Sequence, residues 1–240
     1  MELTRKQVNI TKGMAILFML LLHLFCTKEY SGLFQPLIMA GDVPLIYYFA
    51  LFGDCCVAIY CFCSGYGLFI SYKNNKVTYI KNNFIRLFKL YINYWIILFL
   101  FVNLLGTIMG QGDNYPGDFK KFILTFTGVS SAYNGAWWFF TTYIILVLVS
   151  STLNRFIIKY NNILILVLSF VFYVIGYIQR IKVVLVFDNE ILNWFIRQLA
   201  LFGTSQFPFI IGVVFGHNKI YSKLYNIMNH KKYKNNLGEK

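Results

Sequence analysis

Lys12-Gly13-Met14-Ala15-Ile16-Leu17-Phe18-Met19-Leu20-Leu21-Leu22-His23 is the stretch that decides how the chain folds: ten positions without a charge, bracketed by a cation and an imidazole. It lies inside an apolar run from 8 to 27, and about 20 such residues are what a helix needs to cross the hydrocarbon core of a bilayer. Five further runs follow, at 52 to 72, 87 to 109, 136 to 154, 162 to 179 and 195 to 217. Across all 240 residues the composition is 58% hydrophobic and 13% charged, with mean hydropathy +0.59. A soluble domain carries about 25% charge. The fold class is therefore all-α, a polytopic transmembrane helix bundle of about six spans.

The net charge of +13 could suggest a nucleic-acid partner. The cations, however, sit in short segments between apolar runs, as the positive-inside rule describes for cytoplasmic loops. With six spans, sixteen of the 22 Lys and Arg fall on one side; only Lys28, Lys120, Lys121, Arg180, Lys182 and Arg197 fall on the other. Both termini are thus expected in the cytoplasm, and no nucleic acid is expected as a partner. The outward segments 28 to 51, 110 to 135 and 180 to 194 carry turn formers such as Gly41, Pro44, Gly110 and Pro116, and could cap a cavity that opens outward. The apolar stretch Pro36 to Leu51, broken by Gly41, Asp42 and Pro44, reads as a re-entrant or interfacial piece. Tyr47, Tyr48, Tyr72, Tyr91, Tyr94, Trp95, Trp137, Trp138 and Trp194 read as interfacial aromatics at span ends. Residues 229 to 240 form a basic cytoplasmic tail.

Cys26, Cys55, Cys56, Cys61 and Cys63 lie in or beside apolar stretches at spacings that match no zinc pattern, so they read as packing residues and no metal is expected. Chemistry is better sought among ionisable groups at membrane depth. Lys12 and His23 are eleven positions apart, about 16 Å along one face of a helix and some 20° past three full turns. An ammonium at the inner mouth and an imidazole at the deep end of an apolar shaft suit a phosphate-headed thioester entering from the cytoplasm. Against this stands a plain reading, in which Lys12 snorkels to the interface and His23 sits among outer headgroups.

Three further clusters have the same two-sided character. Ser64, Gly65 and Tyr66 can line the cavity that His23 faces or simply let helices approach. Arg86 and Lys89, three apart in the basic inner loop 79 to 91, can hold phosphates or anchor the chain. Trp138 and Tyr143, in the stretch Ala136 to Tyr143, can form a wall for an acceptor sugar or belong to the aromatic belt.

Taken in order, these segments resemble the acyltransferase family 3 integral-membrane proteins, which include O-acetyltransferases of bacterial surface polysaccharides. The resemblance runs from about Thr11 to Tyr225. It rests on Lys12 and His23 flanking Gly13, Met14, Ala15, Ile16 and Leu17; on Ser64, Gly65 and Tyr66; on Arg86 and Lys89 before Tyr94 and Trp95; on Trp138 and Phe139; and on the segment Phe207 to Gly212. It implies a membrane acyltransferase-like domain over 1 to 228, multi-pass in a bacterial cytoplasmic membrane. The implied reaction moves an acyl group, most often acetyl, from cytoplasmic acyl-CoA to a hydroxyl of an extracytoplasmic carbohydrate. His23 would be catalytic, as general base or as a covalent relay. Lys12, Arg86 and Lys89 would steady the donor, and Ser64, Tyr66, Trp138 and Tyr143 would meet substrate. Acyl-CoA is then a substrate, with no permanently bound cofactor; self-association is left open.

The departures are specific. Lys12 stands where the family has Arg, Tyr143 where an acid is common, and Ile92-Asn93 where Pro-Pro is usual. Members have about ten spans, so six imply a short form. A small-solute transporter or flippase, or a catalytically inactive member, are the alternatives that six spans with intramembrane polar groups also allow.

Overall fold

The computed structural model describes residues 2–228; the basic tail 229–240 lies outside the described residues. Helix dominates, and six helical stretches are long and apolar enough to cross a membrane: Arg5–Phe25, Leu45–Asn74, Tyr79–Ile108, Gly135–Lys159, Asn162–Lys182 and Glu190–His217. The all-α, six-span fold expected from hydropathy is the fold observed.

Helix α1 (Arg5–Phe25) opens with a capping box: Gln7 N–H donates to the Thr4 hydroxyl, and Thr4 N–H donates to the Gln7 side chain at 2.9 Å. It then runs through Gly13 without a break. Residues 36 to 51, expected to be re-entrant or interfacial, fold differently. Gly41, at φ +65°, turns a minimal hairpin of β1 (Met39–Ala40) against β2 (Val43–Pro44). Pro44 then precedes α2 (Leu45–Leu51) at φ −56°. Proline has no N–H to leave unpaired and a fixed φ, so it starts a helix well. A 3-10 turn, Phe52–Asp54, leads into α3 (Cys55–Asn74), and the second span begins at Leu45 rather than 52.

The basic segment 79 to 91 is likewise helix, not loop. It forms most of α4 (Tyr79–Ile97), which continues through π-helical turns at Leu98–Leu105 and the short α5 (Gly106–Ile108) as one 30-residue stretch. After it come α6 (Phe119–Phe126), α7 (Trp138–Lys159), α8 (Asn162–Lys182) and α9 (Glu190–His217).

The chain packs as two compact units. Among the described residues the first comprises 2–70, Phe156–Val171 and 205–228. Within it α1 rests on the 3-10 turn: a Cβ at Gly53 would lie 2.3 Å from the Phe18 carbonyl oxygen and 2.7 Å from Leu22 Cβ. α3 and α9 approach still more closely. A Cβ at Gly65 would lie 2.0 Å from the Phe209 carbonyl oxygen, and one at Gly212 would lie 2.1 Å from that of Phe62. Phe62 meets Phe215 and Phe69 meets His217, both edge to face, on either side of this contact. Ser169 donates to the Gln206 side-chain oxygen at 2.6 Å, and Gln206 donates back to the Ser169 carbonyl at 2.8 Å.

The second unit comprises Ser71–Arg155 and Phe172–Thr204. Here the sequence reading of aromatic residues needs correction. Tyr91, Tyr94 and Trp95 lie midway along the 79–108 helix, and each donates to a carbonyl at the end of α6: Thr127, Phe126 and Thr125 accept from Tyr91, Trp95 and Tyr94 at 3.0, 2.9 and 2.8 Å. The last carbonyls of any helix lack intrahelical partners, and in an apolar setting each unpaired one is costly. These rings therefore act as caps. Trp95 also stacks flat on Phe126, centroids 4.8 Å apart.

The glycine contacts give a direct test. Gly65→Ala should lower the thermal unfolding midpoint in detergent, with a cost of about 1–3 kcal/mol from forced overpacking. Gly67→Ala, two residues away with nothing within 4 Å of the added carbon, should not lower the midpoint and should raise it slightly, since alanine favours a helix interior over glycine.

Candidate functional site

Packing fixes which edge of α1 is available. Ala15 is the one buried residue of this helix, and Phe18 and Leu22 meet the 3-10 turn on the same stripe. At about 100° per residue, Lys12 and His23 fall along one border of that stripe. Lys12 is half-buried and near enough to act electrostatically on Cys63 of α3. His23 occupies the last turn of α1 and is exposed. The imidazole foreseen at the deep end of a shaft lies instead on an exposed helix edge, at the end of α1 away from the half-buried Lys12.

Ser64 and Tyr66, also in the first unit, are both buried. Tyr66 spends its hydroxyl on the N-terminal segment. It donates to one Glu2 carboxylate oxygen at 2.7 Å and accepts from Leu3 N–H at 3.1 Å. The other Glu2 oxygen accepts from the Ser222 hydroxyl at 2.7 Å and from its N–H at 3.4 Å. Burial raises the Glu2 carboxyl pKa, but the hydrogen bonds from Tyr66 and Ser222 outweigh that and hold it below the ordinary range.

Arg86, Lys89, Trp138 and Tyr143 belong to the second unit. Arg86 is half-buried and donates to Asn83 Oδ1 at 3.0 Å; Lys89 is exposed. Behind Arg86 lies a polar chain that the sequence reading missed. Ser150 gives its hydroxyl proton to the Val147 carbonyl at 2.6 Å, so it must accept from Tyr79 OH at 2.7 Å and from Asn83 Nδ2 at 3.3 Å. Asn154 Nδ2 donates in turn to Tyr79 at 3.4 Å, while its buried Oδ1 has no partner among the described residues. The available signal was the spacing of Ser150 and Asn154, i and i+4 within an apolar span. The remaining N–H groups of Arg86 have no partner among the described residues and are available to an anion. Trp138 carries the Arg180 guanidinium over its ring at 4.8 Å. Tyr143 is half-buried beside Phe139, ring centroids 6.2 Å apart.

A family model described as an acyltransferase domain, acyltransferase 3, matches residues 5–224. The chain belongs to the acyltransferase 3 family. No curated protein and no solved structure matches it significantly. The protein is thus a multi-pass membrane protein of acyltransferase type, and the matched region runs from the first turn of α1 to beyond α9. It contains every residue singled out from the sequence as a candidate for chemistry.

The Glu2 contacts make the fold of this acyltransferase pH-sensitive at its N-terminus. A carboxyl whose folded pKa is depressed stabilises above the ordinary carboxylate range and loses that contribution as pH falls through and below it. The unfolding midpoint of wild type should therefore drop more between pH 6 and pH 3 than that of Glu2→Gln. Equal drops in the two proteins would remove Glu2 from the account.

Proposed function

We propose that this membrane acyltransferase moves an acetyl group from cytoplasmic acetyl-CoA to a hydroxyl of an extracytoplasmic carbohydrate in the bacterial cell envelope, with His23 as general base. The observation that carries the reading is the unbroken α1, which holds Lys12 and His23 along one helix edge about 16 Å apart. A thioester donor with a phosphate-bearing head has the same polarity: anion at one end, reacting carbonyl at the other. Lys12 supports the head by charge alone, without the bidentate grip an Arg would give. Within the second unit, Arg86, oriented by Asn83, and the exposed Lys89 are groups that can bind an anion, and the family resemblance assigns them to the donor. Ser64 and Tyr66 serve as positioning residues through α3, and Trp138 and Tyr143 offer aromatic surface to the acceptor.

In the reaction, His23 takes the proton of the acceptor hydroxyl as its oxygen attacks the thioester carbonyl. The carbon–sulfur bond then breaks, and the imidazolium returns its proton to the leaving thiolate. An exposed ring is consistent with this role, since a base must reach its substrate before it can deprotonate it.

Proteoliposomes of the full chain, supplied with labelled acetyl-CoA and a carbohydrate acceptor, test the proposal. His23→Gln should lower label transfer by about a hundredfold or more, the usual worth of a positioned base, with the thermal midpoint unchanged. Lys12→Ala should raise the apparent KM for acetyl-CoA more than it lowers kcat. Full transfer by His23→Gln removes the base from the mechanism, and an unchanged donor dependence removes Lys12. Solute uptake without label transfer would mark a transporter instead.

A further inference from the structure

Within the second unit a cavity of about 580 Å³ opens where the start of α7, the end of α8 and the start of α9 come together. This volume lies in the range of small-molecule sites. Its wall is built rather than loose. The connection from α8 to α9 is pinned at Leu185, whose N–H donates to the Gln179 side chain at 2.9 Å and whose carbonyl accepts from it at 3.0 Å. It is pinned again at Phe187, which exchanges a matching pair of bonds with the Asn193 side chain at 2.8 and 2.6 Å. With both carboxamides committed to the wall, the charged groups lining the cavity are Arg180 and Arg197.

Their state is unusual for an outer face. Of the six cations that the topology places outside, Arg180, Lys182 and Arg197 flank this one connection. Arg180 lies over the Trp138 ring at 4.8 Å, which orients the guanidinium plane and leaves its N–H edge open. Arg197 is exposed and has no hydrogen-bond or ion-pair partner among the described residues. Asp188 and Glu190, the acids of the same connection, form no ion pair with either arginine. A preformed pocket with two unpaired guanidinium groups, an indole and an apolar wall that includes Leu185 and Val186 is complementary to one kind of small molecule: a sugar ring bearing an anionic group.

We propose that this cavity binds the acceptor, and that the acceptor is an acidic carbohydrate whose carboxylate or phosphate pairs with Arg180 and Arg197 while its ring lies against Trp138 and the apolar wall. The proposal rests on the acetyl-transfer reading for the word acceptor, but binding itself is independent of catalysis. A bare interfacial arginine would extend toward lipid headgroups; the stacking of Arg180 on Trp138 over a cavity is what favours a sugar over a lipid.

The test is equilibrium binding to the full chain in phosphatidylcholine nanodiscs, read by calorimetry, with glucuronate, glucose 6-phosphate and glucose as probes. At least one acidic probe should bind more tightly than glucose, and whichever does so identifies carboxylate or phosphate as the anion. Arg180→Gln and Arg197→Gln should each weaken that probe by about tenfold, the worth of a hydrogen bond to a charged group. Arg180→Lys should recover only part of the loss. Both arginines are exposed, so the variants should keep the wild-type thermal midpoint. Equal binding of glucose and both acidic probes, or indifference to both substitutions, overturns the proposal. So does tighter binding of the soluble lipid headgroup glycerol 3-phosphate than of either acidic sugar, because the arginines would then serve a lipid phosphate. Acidic-sugar binding that persists in a chain transferring no acetyl group would uphold the site and sink the transferase reading separately.

Discussion

Two glycines facing opposite ways across one helix pair hold the first unit together. Gly65 of α3 lies against the Phe209 carbonyl of α9, and Gly212 of α9 lies against the Phe62 carbonyl of α3. Lipid tails are as apolar as leucine, so helices in a bilayer gain little by burying hydrocarbon against one another, and close backbone approach must supply the association. The consequence is visible in burial. Two thirds of the most apolar window of α9 is buried (67%), whereas the corresponding share of α1 is 6%. The same stretch of α3 is in turn what the N-terminal segment is tied to, since Tyr66, next to Gly65, bonds Glu2 and Leu3.

A second constraint shapes the other unit: polar backbone must be paired wherever water is absent. α6 ends within the 110 to 135 segment, and Tyr91, Trp95 and Tyr94 reach across from α4 to the carbonyls of Thr127, Phe126 and Thr125, the last of which also accepts from Gly128 N–H at 2.8 Å. The same economy governs the chain from Arg86 through Asn83 to Ser150, where Ser150 accepts twice and donates once. Removing Ser150 would leave two buried donors short of a partner, so this serine matters more than its size suggests. The arrangement also means that Arg86 is held from behind by a fixed carboxamide, with the rest of its guanidinium presented outward.

Hydropathy made the six spans legible because apolar length is a one-dimensional property, and each predicted run overlaps an observed helix. What it could not convey was helical continuity through polar or punctuated sequence. Pro44 looked like an interruption and is a helix start; Lys81, Arg86 and Lys89 looked like loop residues and lie within α4. The aromatic belt failed in a related way for Tyr91, Tyr94 and Trp95. Side chains with one polar atom suit an interface, but equally suit a helix terminus that needs donors, and only the partner distinguishes the two. For the candidate site, the register of Lys12 with His23 followed from helical periodicity, while the exposure of His23 depended on what packs beside α1. The Asn83 and Ser150 chain joins residues 67 apart, a pairing no local spacing encodes.

The distribution of burial bears on how the family chemistry is housed. α9 is the best-packed span, and its buried polar residue Gln206 is paired with Ser169 in a reciprocal contact that suits a strut. α1 is the least-packed span and carries both groups proposed for chemistry on one border of its contact stripe. A helix fixed by a single face can present the adjoining edge to a long substrate along its whole length, which a helix packed on all sides cannot do. Fixing comes from small residues, Ala15 and Gly53, which bring backbones together without covering the neighbouring edge. Larger side chains at those two positions would push α1 away from the 3-10 turn and move Lys12 and His23 together, so their spacing is protected by the helix and their placement by the glycine beneath it.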